Sequence, residues 1–412
     1  MTETLLDDIL DKKHGLYQLA DRLNWDYLIE NFGPYYSPSY GRPSVPIRVI
    51  VGLHYIKYLE NESDESVVEK FCENPYWQYF CGFNTFQHKF PCHPTALSKW
   101  RKKVGIEGVE KLLEETINTA KRMALLPEKL CKKLNIDTTV QEKFIKFPTD
   151  SMLLYRMREK LVKQAKKLHI PLRQTYVRVA KKSLIKQAKY RHAGQMKRAN
   201  RETRFLKTYL RRVLNDFRRK VKNASESTLA MLDLAKRVLI QKKDDKNKVY
   251  SLHTTEVNCI AKGKVHKKYE FGCKVSVVTT AKEPWVVSIA AEDGNPYDGH
   301  TLKDAVNKAE VMTKVRAESV FVDKGYRGKE NHPDDVDVYL SGRKKISFSL
   351  KRLLKGRAAI EPIIGHLKSD HRMDRNHLLG SLGDKLNAVL SGCAFNLKKI
   401  LRLSFMAEPA LV

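Results

Sequence analysis

The sequence predicts an α/β sheet domain whose chain order is interrupted by a basic helical insertion, with an all-α segment in front of it. Three observations predict this. Short apolar runs of strand character fall at 134–140, 269–279, 285–290, 319–323 and 336–340, with a helical pattern at 302–311 among them. Between about residues 151 and 245 the apolar period becomes helical. Residues 1–130 carry helical spacing and tight turns. A chain of 412 residues has room for two or three domains. Its 42% hydrophobic and 30% charged residues exclude a disordered protein.

The N-terminal segment, 1–130, opens its first clear helix after a Pro/Ser/Gly-rich loop at 33–44, and the apolar face runs over 45–59. Asn61, Glu62, Ser63 and Asp64 form a turn, with Ser63 or Asp64 as cap of a helix through Val67, Val68 and Phe71. A third start lies at Pro94-Thr95 and leads into Leu97, Trp100, Arg101, Lys102 and Lys103. Short helices ending in a Trp and a basic tip suit a helix-turn-helix DNA reader. A helical packing or dimerisation domain with a solvated basic end suits them equally.

The catalytic candidate is 131–412. Asp137 ends its first apolar strand stretch, and Lys143, Phe144, Ile145, Lys146 and Phe147 alternate like a second, half-exposed strand. In the insertion, Leu153, Met157, Leu161, Ala165 and Leu168 fall at steps of three or four. Pro171 interrupts, and Leu206, Leu210, Val213, Phe217 and Val221 resume the spacing. The formal charge of the chain is +30. Residues 1–130 contribute about −2, whereas 151–220 hold 23 Lys/Arg against Glu159, Glu202 and Asp216. A solvated helix face normally mixes both signs, so this block needs an external polyanion, and nucleic-acid backbone fits best. Further on, Asn295-Pro296-Tyr297-Asp298-Gly299-His300 reads as a turn that caps the 302–311 helix, with Asp298 serving the turn.

Seven scattered cysteines with no CxxC spacing predict reduced thiols. Cys72, Cys81, Cys92 and His93 are too widely separated to read as a zinc site and are expected to be packing residues. No secretory leader and no uncharged apolar run of roughly 20 residues is present, which predicts a soluble intracellular protein without a membrane partner.

Three acids carry the chemistry. Asp137 and Asp323 stand at the ends of apolar strand patterns, and Glu361 lies in the helical pattern around Ile360, Ile363, Ile364 and Leu367. A single strand-end Asp is usually a cap or a surface residue. Three acids in agreeing contexts can converge on two divalent ions about 4 Å apart, which shield attacking and leaving oxygens in phosphodiester chemistry. Hard ions such as Mg²⁺ prefer such carboxylate oxygens. Arg357 and Lys368 flank Glu361 at helical spacings of four and seven, which can place them on its face. His366 is a candidate phosphodiester contact but reads better as a helix-packing residue.

The chain resembles insertion-sequence transposases of the IS-five family. The resemblance covers 42–103 and the segment from Asp137 to Lys143. It continues through Tyr250-Ser251-Leu252-His253, Lys262-Gly263-Lys264, Tyr269-Glu270-Phe271-Gly272, the Asn295 to His300 turn and Val322-Asp323-Lys324-Gly325-Tyr326-Arg327-Gly328. Arg357, Glu361 and Lys368 match three members of the Tyr-Arg-Glu-Lys motif of related transposases. Leu354 stands where the Tyr is expected, so the stacking role of that Tyr is missing here. The resemblance implies a DDE catalytic domain of ribonuclease-H-like fold, with a mixed five-stranded sheet flanked by helices. It implies two Mg²⁺ ions, replaceable by Mn²⁺, on Asp137, Asp323 and Glu361. It also implies DNA contacts by Arg357 and Lys368, a homodimer pairing two ends, and action on double-stranded inverted-repeat ends and target DNA. On this reading Tyr326 and Arg327 touch DNA or pack over the site, and Lys181, Lys182, Arg211, Arg212, Arg218 and Arg219 clamp the backbone. The expected place of action is the bacterial cytoplasm, at the nucleoid. A nuclease that cuts without joining, and an inactive transposase-derived DNA-binding protein, are the alternatives.

Overall fold

Capping chemistry sets the N-terminal helices close to where the apolar pattern predicts them. The computed structural model describes residues 4–36, 44–242, 244–261, 267–343 and 346–407; Arg42, most of the 33–44 loop and Lys262-Gly263-Lys264 lie outside them. Helices span Ile47–Leu59, Asp64–Phe71 and Thr95–Arg122. Ser63 Oγ accepts the Ser66 N–H at 2.9 Å while Ser66 Oγ accepts the Ser63 N–H at 2.8 Å, so two otherwise orphaned helix donors are satisfied. The expected basic reading tip is corrected in part: Trp100 and Arg101 are buried. Arg101 donates to both Asp64 oxygens, at 2.9 and 2.5 Å, and Lys57 Nζ adds 2.7 Å. Burial alone would raise the Asp64 carboxyl, but these two cations outweigh it and hold the group well below the usual carboxylate range. Lys99, Lys102 and Lys103 remain exposed.

Seven strands occur among the described residues: β1 Lys133–Lys143, β2 Asn258–Ala261, β3 Tyr269–Thr280, β4 Val286–Ala291, β5 Ser319–Val322, β6 Asp337–Leu340 and β7 Arg375–Asn376. The central sheet runs β4-β3-β1-β5-β6. Its β4-β3-β1 part is antiparallel, and β5 and β6 join parallel to β1. β7 adds a short parallel pairing at Glu142 and Lys143. This mixed sheet with flanking helices is compatible with a ribonuclease-H-like domain. Two expectations change. β1 is one strand through Lys143, and 144–147 is irregular, with Phe144 and Phe147 exposed. Asp137 is therefore inside β1, paired with Val277 of β3, and does not end a strand.

The helix Gly380–Ala407 covers β4. Its Asn396 amide accepts the Val286 N–H at 3.0 Å and donates to the Val286 carbonyl at 2.8 Å, so a side chain takes the place of a missing neighbour at the sheet edge. The same amide donates to Thr116 Oγ1 at 3.1 Å on the Thr95–Arg122 helix. Tyr58 donates to Asn387, and Asn387 donates to Gln141 of β1, each at 2.8 Å. Compactness thus does not separate 1–130 from the sheet. Residues from Leu16 to Ile400 share one apolar core, and the first compact unit is Met1–Lys143 with Gly272–Val412.

The second unit is Phe144–Phe271, wider than the 151–245 expected from periodicity. Its helices are Asp150–Lys167, Val177–His192, Met196–Lys220 and Glu226–Ile240. Leu153, Met157, Leu161, Ala165, Leu206, Leu210, Val213 and Phe217 form its core, as their spacing predicts. Leu168 is the exception, exposed at the end of its helix.

Candidate active site

β1 and β5 pair over Lys133 to Asn135, so Asp137 stands two residues past the shared ladder, and Asp323 follows the last residue of β5. A crevice at the carboxyl ends of parallel strands is where an open sheet binds ligands. Thr138 N–H donates to Asp137 Oδ1 at 2.8 Å, and Arg357 meets Asp137 Oδ2 at 3.3 Å. The Asp137 side chain is 19% exposed, enough to meet a ligand. Asp323 Oδ1 accepts the Gly325 N–H at 2.7 Å, which turns the chain into the Lys324–Tyr326 helical turn. Tyr326 is wholly buried beneath the acids. Burial, and then the carboxylates of Asp137, Asp298 and Asp323, push its phenol well above the usual range, so it stays neutral. That removes Tyr326 from the DNA contacts and leaves it as packing under the site. Arg327 beside it is exposed.

Glu361 does not join the two aspartates. The helix expected to carry Arg357, Glu361 and Lys368 together is broken: Arg357–Ala359 is a 3₁₀ turn, and the α-helix is Ile360–Ser369. A 3₁₀ turn advances three residues per turn, so a spacing of four no longer means one face. Arg357 turns in to Asp137 with its side chain 13% exposed, whereas Glu361 is exposed in the first turn, where the helix dipole favours an acid. Ile360, Ile363 and Leu367 form the buried stripe, and Lys368 is half-buried on its flank. Leu354 lies half-buried on the preceding helix, Phe348–Gly356. His366 is not a packing residue; it is exposed, with Nδ1 2.7 Å from Asp370 Oδ2.

Hard divalent ions ask for carboxylate oxygens. Asp137 and Asp323 supply them, and the Arg357 guanidinium beside Asp137 Oδ2 marks a place that accepts positive charge. Among the described residues no three His, Cys, Asp or Glu side chains converge closely enough to hold a metal ion. The fit is to two acids of the expected three. Of the cysteines nearest His93, Cys81 is buried, and burial raises the Cys92 thiol to about 11.

Asp298 is where residue-by-residue reading fell short. It makes no cap for the following helix, whose N-cap is Thr301. Its Oδ1 accepts Thr138 Oγ1 of β1 and Lys274 Nζ of β3, both at 2.8 Å.

In the second unit, Lys181, Lys182, Arg211, Arg212, Arg218 and Arg219 are all exposed. Arg173, Tyr176, Arg212, Arg218 and Arg219 surround a hollow of about 540 Å³, with Asp216 accepting the Arg173 N–H at 2.8 Å. No helix among the described residues is long and apolar enough to cross a membrane.

Comparison with known proteins adds the family. Residues 4–103 match a transposase domain (DUF772), and residues 251–397 match a transposase DDE domain. The second match contains Asp323 and Glu361; Asp137 lies outside both. An uncharacterized protein, ORF8 in the nfe locus of Rhizobium meliloti, is 43% identical over 190 residues, which are 46% of this chain and 91% of that protein. No solved structure matches the chain. With both transposase domains in one polypeptide, the chain belongs to the insertion-sequence DDE transposases.

Proposed function

We propose that this transposase, of the IS-five group, cleaves DNA at insertion-sequence ends and transfers the freed 3′-hydroxyls into target DNA, with Mg²⁺ or Mn²⁺. The observation that carries the reading is the placement of Asp137, two residues past the β1–β5 ladder, and Asp323, just after β5, around one buried tyrosine. Asp137 and Asp323 would hold the ions, and Glu361, apart from them in this structure, would complete the set only by moving toward them. When bound, the ions neutralise charge on the attacking and leaving oxygens. The remaining roles belong to the chain. Tyr326, held neutral, excludes water beneath the acids. Arg357 can grip a phosphate with two parallel N–H bonds, and Lys368 adds a point charge. Arg327 and the exposed cations of the second unit bind backbone phosphates without reading sequence. Two ends must react together, which calls for a dimer, and a DNA substrate of this kind places the work at the bacterial nucleoid.

The test is strand transfer of a pre-cleaved end bearing the inverted repeat that flanks the gene. The wild-type chain should give joined product with Mg²⁺ or Mn²⁺. Asp323→Asn should lower cleavage by at least ~10²-fold while DNA affinity changes less than about twofold. Released fragments without joined product would make the protein a nuclease. A wild-type chain inert with both ions that still binds DNA would make it a DNA-binding derivative.

A further inference from the structure

Asp298 is held by more of the fold than a turn requires. Its Oδ1 takes donors from two strands, Thr138 on β1 and Lys274 on β3. Lys274 also donates to the Pro296 carbonyl at 2.6 Å, and its side chain is 10% exposed. Burying that ammonium needs a counter-charge, and Asp298 provides it. Side chains alternate across a strand, so Thr138 and Asp137 project to opposite faces of β1. Anchoring Thr138 on one face therefore fixes the rotation of the strand that aims Asp137 from the other.

Asp298 also reaches the second acid. A Cβ added to Gly325 would lie 2.9 Å from Asp323 Oδ1 and 3.2 Å from Asp298 Oδ2. The two carboxylates thus flank the same glycine, whose N–H Asp323 accepts. One side chain touches the strand that bears Asp137 and the turn that bears Asp323.

We propose that Asp298, neutralised by Lys274, is a positioning residue that sets Asp137 and Asp323 relative to each other. It holds no ion itself. The inference rests on the metal-dependent reading above, and partners outside a metal's own ligands commonly tune affinity 10–100-fold.

The test is Mn²⁺ binding to the full chain without DNA, followed by electron paramagnetic resonance of the free ion, with Tm recorded for each variant. Asp298→Ala should weaken binding by about 10–100-fold. Thr138→Val, which removes the donor and keeps the shape, should weaken it in the same direction, and it decides the matter if Asp298→Ala does not fold. Asp298→Asn keeps a carbonyl oxygen for Thr138 but leaves the Lys274 ammonium without its counter-charge, so it should bind between Asp298→Ala and wild type. Wild-type binding by Asp298→Ala and Thr138→Val would overturn the proposal. So would loss of binding in Asp298→Ala with wild-type binding in Thr138→Val, since that marks Asp298 as a direct ligand. Asp323→Asn separates the two levels. If it binds Mn²⁺ like wild type, the metal reading fails and takes this inference with it. If it loses binding while Asp298→Ala and Thr138→Val keep it, the Asp298 role alone fails.

Discussion

At Gly325 a single hydrogen atom leaves room for two carboxylates. The Asp323 side chain folds back to its N–H at 2.7 Å, and a methyl group there would sit 2.9 Å from Asp323 Oδ1. Gly325→Ala must therefore move the acid, and a misplacement of about 1 Å at a reacting centre is worth about 10²-fold. We expect Gly325→Ala to lower end cleavage by ~10–100-fold with little change in Tm, measured on the same substrate as wild type. Full activity would show that Asp323 does not need this turn. The sequence made Asp323 legible because a strand-end acid followed by Gly and Tyr is a local signal. Asp298 was not legible, because Asn-Pro-Tyr-Asp-Gly has the composition of an ordinary turn and its partner Thr138 is 160 residues away. Glu361 shows the opposite error. Its helical setting was readable, but the 3₁₀ turn at Arg357–Ala359, which separates its face from that of Arg357, has no sequence signal stronger than the helix it interrupts.

Among the elements, β1 bears most of the consequences, since β3, β5 and β7 all pair with it. Close approach to β3 at one end requires Gly272. A Cβ there would lie 1.9 Å from the Gln141 carbonyl oxygen and 2.8 Å from the Glu142 Cα, and backbone cannot step aside as a side chain can. Gly272→Ala should cost at least ~3 kcal/mol, the upper range for overpacking. Gly365→Ala, in open space on the Ile360–Ser369 helix, should be neutral or stabilising by up to ~1 kcal/mol. Urea unfolding of both variants checks this; equal stability of Gly272→Ala and wild type would refute the β1–β3 register. The 134–140 run was readable as strand because apolar residues with β-branched neighbours fit a strand buried on both faces. The run at 143–147 alternates as well, yet β1 ends at Lys143. The Lys143 ammonium is tied to Asp384 at 2.8 Å with both side chains buried, a partner 241 residues away that no local pattern could announce.

Over the whole molecule, charge and core divide differently. The N-terminal helices and the sheet share one core, although 4–103 match a transposase domain of their own, so similarity by segment does not mark a boundary in packing. Periodicity could locate the second unit because its helices bury their own seam, but its strand and loops up to Phe271 carry no helical period and were missed. The positive charge of that unit was readable in full, since 23 Lys/Arg against three acids over 151–220 needs no structure to count. If those exposed cations neutralise DNA phosphates, each contact displaces a counterion, and log K falls with log salt by about 0.9 per contact on B-DNA. Lys181→Gln, Lys182→Gln, Arg211→Gln and Arg218→Gln, made singly, should each lower that slope by about 1 and weaken specific and random duplexes alike. Because all four side chains are exposed, stability should stay within about 0.5 kcal/mol. Fluorescence anisotropy over a salt series measures both quantities. A slope unchanged in all four variants would move the DNA contacts elsewhere and leave the insertion's charge without a ligand.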